Sequence, residues 1–286
     1  MTTESEDRFE LPSGSRIGAV ALRVGSLDSV LPFYRDVLGF DVERDGNDAR
    51  LLAGDREPLR LREASGASER PSEAAGLFHV AVRVPDRGTL ADVLDRVQNG
   101  DVALTGASDH LVSEALYLRD PEGNGVEVYR DYAREEWPRT ADGDVEIDTL
   151  HLDLDDLSET ASGTSSLPAG TDVGHVHLEV TDLARSEAFY RDTLGLGVQT
   201  RYGDEATFLA AGDYHHHVGL NTWHHRRRAA ADARGLDWFQ LLVPDTETVE
   251  AVRRRLRADD HRTTRVDGGI AVADPDGMRV RLVAEE

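Results

Sequence analysis

At 286 residues, with 39% hydrophobic content and three Trp, the chain is globular and long enough for two compact domains, each with its own core. It has no Cys, which excludes thiolate metal sites, thiol catalysis and disulfides, and no apolar run nears the ~20 residues of a membrane span. All 32 basic residues are Arg and the net charge is −23, a field that disfavours nucleic acid and anionic membranes and suits a surface adapted to high salt, where self-repulsion is screened.

The opening run, Met1 to Glu10, is acidic and lacks an apolar core, so no signal peptide and a cytoplasmic location are expected. From Ile17 the chain alternates as a strand, then places Val30, Phe33, Tyr34, Val37 and Leu38 at helical spacing, with Gly39 as a C-terminal stop. Gly76-Leu-Phe-His79-Val-Ala-Val opens a second unit. That unit ends in two strands joined by a tight turn, Asp120-Pro121-Glu-Gly123. The stretch 133–171 is acidic and Ser/Gly-rich and reads as a linker between an N-terminal domain, 1–132, and a C-terminal domain, 172–286. Val173-Gly-His175-Val-His177 then repeats the first opening, and Phe189-Tyr190-Arg-Asp repeats Phe33-Tyr34-Arg-Asp. Gly235-Leu-Asp-Trp238 matches Gly76, and Asp274-Pro-Asp-Gly277 matches the turn at Asp120. The result is four βαβββ modules, near 16–66, 76–132, 172–224 and 235–286, an α+β chain.

Strand parity separates the chemistry from the packing. Val80, Val82 and Val84 share a face with Phe78, leaving His79 opposite. Val176, Leu178 and Val180 leave His175 and His177 opposite. Val126 and Val128 leave Glu127 opposite, and Leu116 and Leu118 leave Tyr117 opposite. In Tyr214-His-His-His-Val-Gly-Leu-Asn221, taken as one strand, Val218 and Leu220 assign His215 and His217 to the polar side and turn His216 away. His224 and His225 read as loop residues. A lone strand histidine is usually a hydrogen-bonded structural residue, but here the pattern repeats across modules.

The run from His110 through Tyr117 and the Asp-Pro-x-Gly turn to Glu127 resembles the signature of extradiol ring-cleaving dioxygenases, in which that Glu is an iron ligand. Ser108 departs from the residues the family prefers two positions before the His. The four-module layout resembles the vicinal oxygen chelate superfamily, which includes glyoxalase I and fosfomycin-resistance proteins, and is most like the catechol 2,3-dioxygenase group. In that family two modules face each other as a cupped sheet around one metal.

The resemblance implies that His79, Glu127 and His175 are metal ligands, a two-His, one-carboxylate set suited to non-haem Fe(II). It implies catalytic roles for His217, His110 and Tyr117 in handling protons and orienting a bound oxygen. Ala19, Trp238 and Arg281 occupy the corresponding ligand positions of modules one and four and cannot complete a second site. One complete site therefore requires module two to pair with three, and one with four, within a chain or by a swap between two chains. The expected activity is extradiol cleavage of a catechol-like small aromatic with O₂ as co-substrate. Alternatives are a glyoxalase-type isomerase or lyase using Zn²⁺ or Ni²⁺, and a protein that sequesters a small molecule in the cup; Mn²⁺ is a further alternative to Fe(II) as the metal. A homo-oligomer is compatible with the fold.

Overall fold

In each of the four repeats a strand, a helix and three further strands follow one another. A computed structural model describes residues 8–141, 143–229 and 233–285. The first seven residues of the acidic opening, on which the expectation of no signal peptide partly rests, lie outside the described residues.

Module one consists of β1 (Arg16–Val24), α1 (Leu27–Pro32), β2 (Asp41–Asp45), β3 (Asp48–Ala53) and β4 (Arg56–Glu63). Ser26 caps α1 by accepting the Ser29 N–H, and the helix runs on as a wider π-helical turn, Phe33–Leu38. Gly39, at φ 94°, ends it in the left-handed conformation expected of a C-terminal glycine. Module two holds β5 (Gly76–Arg83), α2 (Arg87–Gln98), β6 (Gly106–Asp109), β7 (Ser113–Arg119) and β8 (Gly125–Asp131).

The acidic segment that follows is not bare linker: it carries β9 (Leu150–His151) and α3 (Leu154–Ser158), the latter capped by Asp153. Both are too short to leave a periodic signature. Module three has β10 (Asp172–Glu179), α4 (Leu183–Ala188) continued by a π turn, Phe189–Thr193, then β11 (Gly197–Tyr202), β12 (Ala206–Ala210) and β13 (Val218–Asn221). Module four has β14 (Gly235–Val243), α5 (Thr246–Ala258), β15 (Thr263–Val266), β16 (Gly269–Ala273) and β17 (Arg279–Ala284).

These strands form two sheets. One runs β15-β16-β17-β14-β1-β4-β3-β2 and the other β11-β12-β13-β10-β5-β8-β7-β6-β9. Module one therefore joins module four through antiparallel β1 and β14, and module two joins module three through antiparallel β5 and β10. This pairing is the one demanded by the positions of the ligand residues, and it closes within a single chain. Each sheet takes one module from each half of the sequence.

The apolar strand faces identified by parity are the ones that pack, except at Phe78: an irregularity in the pairing, where Leu178 meets Leu77, seats Leu77 in the core and puts Phe78 on the cup side with His79. Val20, Leu22, Val80, Val82, Val176, Leu178, Phe239 and Leu241 are all at most 1% exposed and belong to one continuous core with the helices. That leaves the opposite, polar face of each sheet to form a cup. No helix among the described residues is long and apolar enough to cross a membrane.

Candidate active site

The floor of the first cup is made where β5, β8 and β10 lie side by side. Their register pairs His177 with His79, His175 with Ala81, and Ala81 with Glu127. Alternation then brings His79, His175, His177 and Glu127 out on one face as neighbours. His79 Nε2 lies 2.9 Å and His175 Nε2 3.1 Å from the same oxygen, Glu127 Oε2. One ligand atom from each of the three residues falls within 4.8 Å of the others, and all three side chains are buried.

His79 Nε2, although beside the carboxylate, has no hydrogen-bond partner of good geometry, so a buried polar nitrogen is left unsatisfied. Burial alone would raise the Glu127 carboxyl, but the neighbouring His175 and His79 outweigh it and hold the acid well below its usual range. Burial pushes His175 down to about 4, against the opposing pull of Glu127. A neutral imidazole beside an ionised carboxylate is the state that binds a divalent cation, and these donors fit one.

Above this floor opens a cavity of about 680 Å³. Phe78, Phe208 and Trp223 form an apolar wall, with the Phe78 and Trp223 rings 5.4 Å apart in an edge-on contact. His177 sits within it, its ring 5.0 Å from His79 and 5.2 Å from Trp223. Its Nε2 has no hydrogen-bond partner, and burial drives its pKa well below the ordinary value. Parity assigns His177 to the cup face, but no motif assigns it a task.

His110 and Tyr117 reach the same cavity from β7 and the turn before it. His110 Nε2 lies 2.6 Å from the Tyr117 hydroxyl, and His110 Nδ1 lies 2.7 Å from the carbonyl oxygen of Asp148. A carbonyl only accepts, so Nδ1 carries a proton and, in neutral His110, the Tyr117 O–H donates to Nε2. Burial first, then the Glu127 carboxylate, raises the Tyr117 hydroxyl well above its usual value. The acidic segment thus supplies a backbone atom that fixes a site histidine. That contact was invisible to any motif.

The histidine triplet corrects the parity assignment. Residues 211–217 form irregular bends and a turn ahead of β13, which starts only at Val218, so strand alternation does not extend back to them. His217 is turned away from the cavity: its Nδ1 accepts the Ala211 N–H and its ring stacks on Tyr214. His216 lines the cavity instead, with its ring centroid 4.0 Å from that of His175. Behind it, His216 Nδ1 and His215 Nδ1 are 2.8 Å apart, and His215 Nε2 lies 2.9 Å from Asp131 Oδ1. Burial opposes ionisation of Asp131, but His215 and Arg83 more than offset it and keep the carboxyl below its usual range. Since that carboxylate accepts from His215 Nε2, His215 Nδ1 accepts from His216 Nδ1–H, which leaves His216 Nε2 unprotonated in a ring whose pKa burial drives well below its ordinary value.

His224 is a turn residue after β13, as expected, and from there it lines the cavity and lies 2.5 Å from Glu179 Oε1. In the second cup, the equivalent positions hold Ala19, Trp238 and Arg281, with Gln240 paired to Arg281 as Ala81 is to Glu127.

The family model described as "Glyoxalase/Bleomycin resistance protein/Dioxygenase superfamily" matches residues 16–128 and 172–282. The chain is 38% identical to a catechol-2,3-dioxygenase of Bacillus subtilis over 269 residues, 91% of this chain and 94% of that protein. It is 26% identical over 204 residues to a 2,2',3-trihydroxybiphenyl dioxygenase of Sphingomonas paucimobilis, covering 70% of this chain and 62% of the relative. Among solved structures, glyoxalase I from Zea mays superposes with a TM-score of 0.58 at 17% identity, covering 95% of this chain and 92% of that one, a likeness of fold alone.

Proposed function

We propose that this chain, which belongs to the glyoxalase/bleomycin resistance protein/dioxygenase superfamily, is an Fe(II)-dependent extradiol dioxygenase that opens a catechol-like aromatic ring. One observation carries the reading: two imidazole nitrogens converge on one oxygen of Glu127 at the floor of a cavity walled on one side by Phe78, Phe208 and Trp223. The 38% identity to a relative named for ring cleavage supports it. His79, Glu127 and His175 would hold the metal. Fe(II) bound there would supply adjacent open positions for the substrate's vicinal oxygens and O₂, and a route for electrons between them.

The remaining steps belong to the chain's own residues. Phe78, Phe208 and Trp223 exclude water and hold the ring of the substrate. A catechol must give up hydroxyl protons to chelate fully, and His216 Nε2 is available to receive one, because Asp131 and His215 fix its proton on Nδ1; burial holds the pKa of this ring well below its ordinary value, so the proton is readily returned. Tyr117 and His110 form a second polar pair. If His110 becomes doubly protonated, its Nε2 donates to Tyr117 and frees the phenol O–H to donate toward the substrate's oxygens.

The test is anaerobic purification, reconstitution with Fe(II), Mn²⁺, Zn²⁺ or Ni²⁺, and a panel of substituted catechols followed by O₂ uptake and the yellow ring-opened product. Iron-dependent uptake with one or more catechols is expected. Absence of uptake with every catechol, together with Zn²⁺- or Ni²⁺-dependent isomerisation of a hemithioacetal, would replace the proposal with a glyoxalase-type activity.

A further inference from the structure

The second cup is vacant of metal ligands but not of chemistry. It encloses about 440 Å³ and is lined by Ile17, Ala19, Trp238 and Leu242, by four Arg (Arg16, Arg56, Arg60 and Arg281) and by the carboxylates Glu57, Asp172 and Asp267. Three of these cations are committed. Arg60 Nε lies 2.6 Å from Glu57, Arg56 lies 3.4 Å from Asp172, and Arg16 pairs with Glu285. Nearby Asp237 is likewise taken, by Arg23 at 3.2 Å and Arg279 at 3.1 Å.

Arg281 differs. Its guanidinium carbon stands 3.8 Å over the Trp238 ring, and its buried Nε has no hydrogen-bond partner. Trp238 is only 3% exposed, and its indole Nε1–H is also unpartnered. No ion pair to Arg281 exists among the described residues, although the chain has 55 carboxylate side chains against 32 Arg. The residue is half-buried and feels the charge of Asp237, but its buried Nε lacks an acceptor, which a bound anion would supply.

From this geometry we infer that the cup formed by modules one and four is a binding site for a small organic carboxylate. Arg281 takes the carboxylate group and the Trp238, Ile17 and Leu242 walls take an apolar body. The charge logic mirrors the first cup: an ionised Glu127 there receives a cation, and at the same position here a guanidinium receives an anion. A single uncommitted guanidinium matches one negative charge. A dianion such as phosphate would need a second free cation, and the other three Arg of the lining are paired. Gln240, whose side-chain oxygen accepts the Ala19 N–H, retains an amide NH₂ to donate to the same ligand.

Benzoate is the probe, with benzyl alcohol as its neutral counterpart at matched ionic strength. Calorimetric titration of the full chain should show saturable benzoate binding, weakened at least about tenfold by Arg281→Met and undiminished by Glu127→Gln, which alters the other cup. In ¹⁵N-labelled wild-type protein, the Trp238 indole resonance should shift on benzoate addition while those of Trp223 and Trp137 stay in place. This second measurement requires no variant at Arg281 to fold. The inference is overturned if wild type shows no saturable binding, if Arg281→Met binds as wild type does, if benzyl alcohol binds equally well, or if Trp223 shifts and Trp238 does not.

Discussion

The Tyr34 hydroxyl donates a 3.0 Å hydrogen bond to Asp120 Oδ2, tying the helical segment of module one to the Asp-Pro turn of module two across the two sheets. Module three repeats the arrangement, with the Tyr190 hydroxyl 3.0 Å from Asp274 Oδ2 in module four. Each Asp also accepts two backbone N–H groups of its own turn, from Glu122 and Asn124 or from Asp276 and Met278. The Asp of the repeated turn therefore shapes the turn and fastens one sheet to the other.

Burial pushes the Asp274 carboxyl from 3.8 up to about 7, with its hydrogen bonds opposing and Asp276 adding to the rise. The folded state thus binds this proton more tightly than the unfolded chain. Its stabilising contribution is complete below the unfolded value and lost as pH rises through about 7. Asp274→Asn should fall less in urea midpoint between pH 5 and 8 than wild type. Parallel curves for the two proteins would refute the assignment.

Removal of the metal group should be local. His79→Ala, His175→Ala and Glu127→Ala are each expected to lose most bound Fe(II) while keeping their circular dichroism, because the side chains face the cavity and not the core. Ala19→His should gain no second metal, since Arg281 still places a positive charge in that cup. Metal analysis per chain reads both outcomes, and full iron occupancy in His175→Ala would break the proposed ligand set.

His216 and His217 offer a sharper contrast. His216→Phe should retain iron and lose turnover by ~10²–10⁴, the usual worth of a positioned proton acceptor. For His217→Phe the expected loss is of thermal stability with turnover largely kept, because its Nδ1 is engaged by the Ala211 N–H outside the cavity. Normal turnover in His216→Phe beside an inactive, folded His217→Phe would reverse the assignment.

Gly174 tests the packing beneath the site. A Cβ there would lie 1.7 Å from the Tyr129 hydroxyl oxygen, which is 2.7 Å from the Tyr214 hydroxyl. Gly174→Ala should destabilise the protein by about 1–3 kcal/mol, the usual cost of overpacking, measured by denaturant melts. An unchanged midpoint would mean that Tyr129 yields without cost.

What the sequence made legible was what obeys short periods. The four modules, the apolar faces and the emergence of His79, Glu127 and His175 on one side follow from alternation within regular strands such as β5, β8 and β10. His216 was misassigned because alternation was extended through bends that are not strand. The contact between His110 and the Asp148 carbonyl, and the relay through His215 to Asp131, join atoms 38 and 84 residues apart through irregular backbone. No local pattern encodes such pairs.

The junction of β5 with β10 also sets an order of events during synthesis. His79 and Glu127 leave the ribosome well before His175, and the hydrogen-bonded partner that completes their floor is not yet made. The first half of the nascent chain carries two of the three donors but lacks the strand that would enclose them. Such long-range pairing is slow to form. Full coordination of a cation by all three residues therefore comes late, only after the two halves of the chain have met.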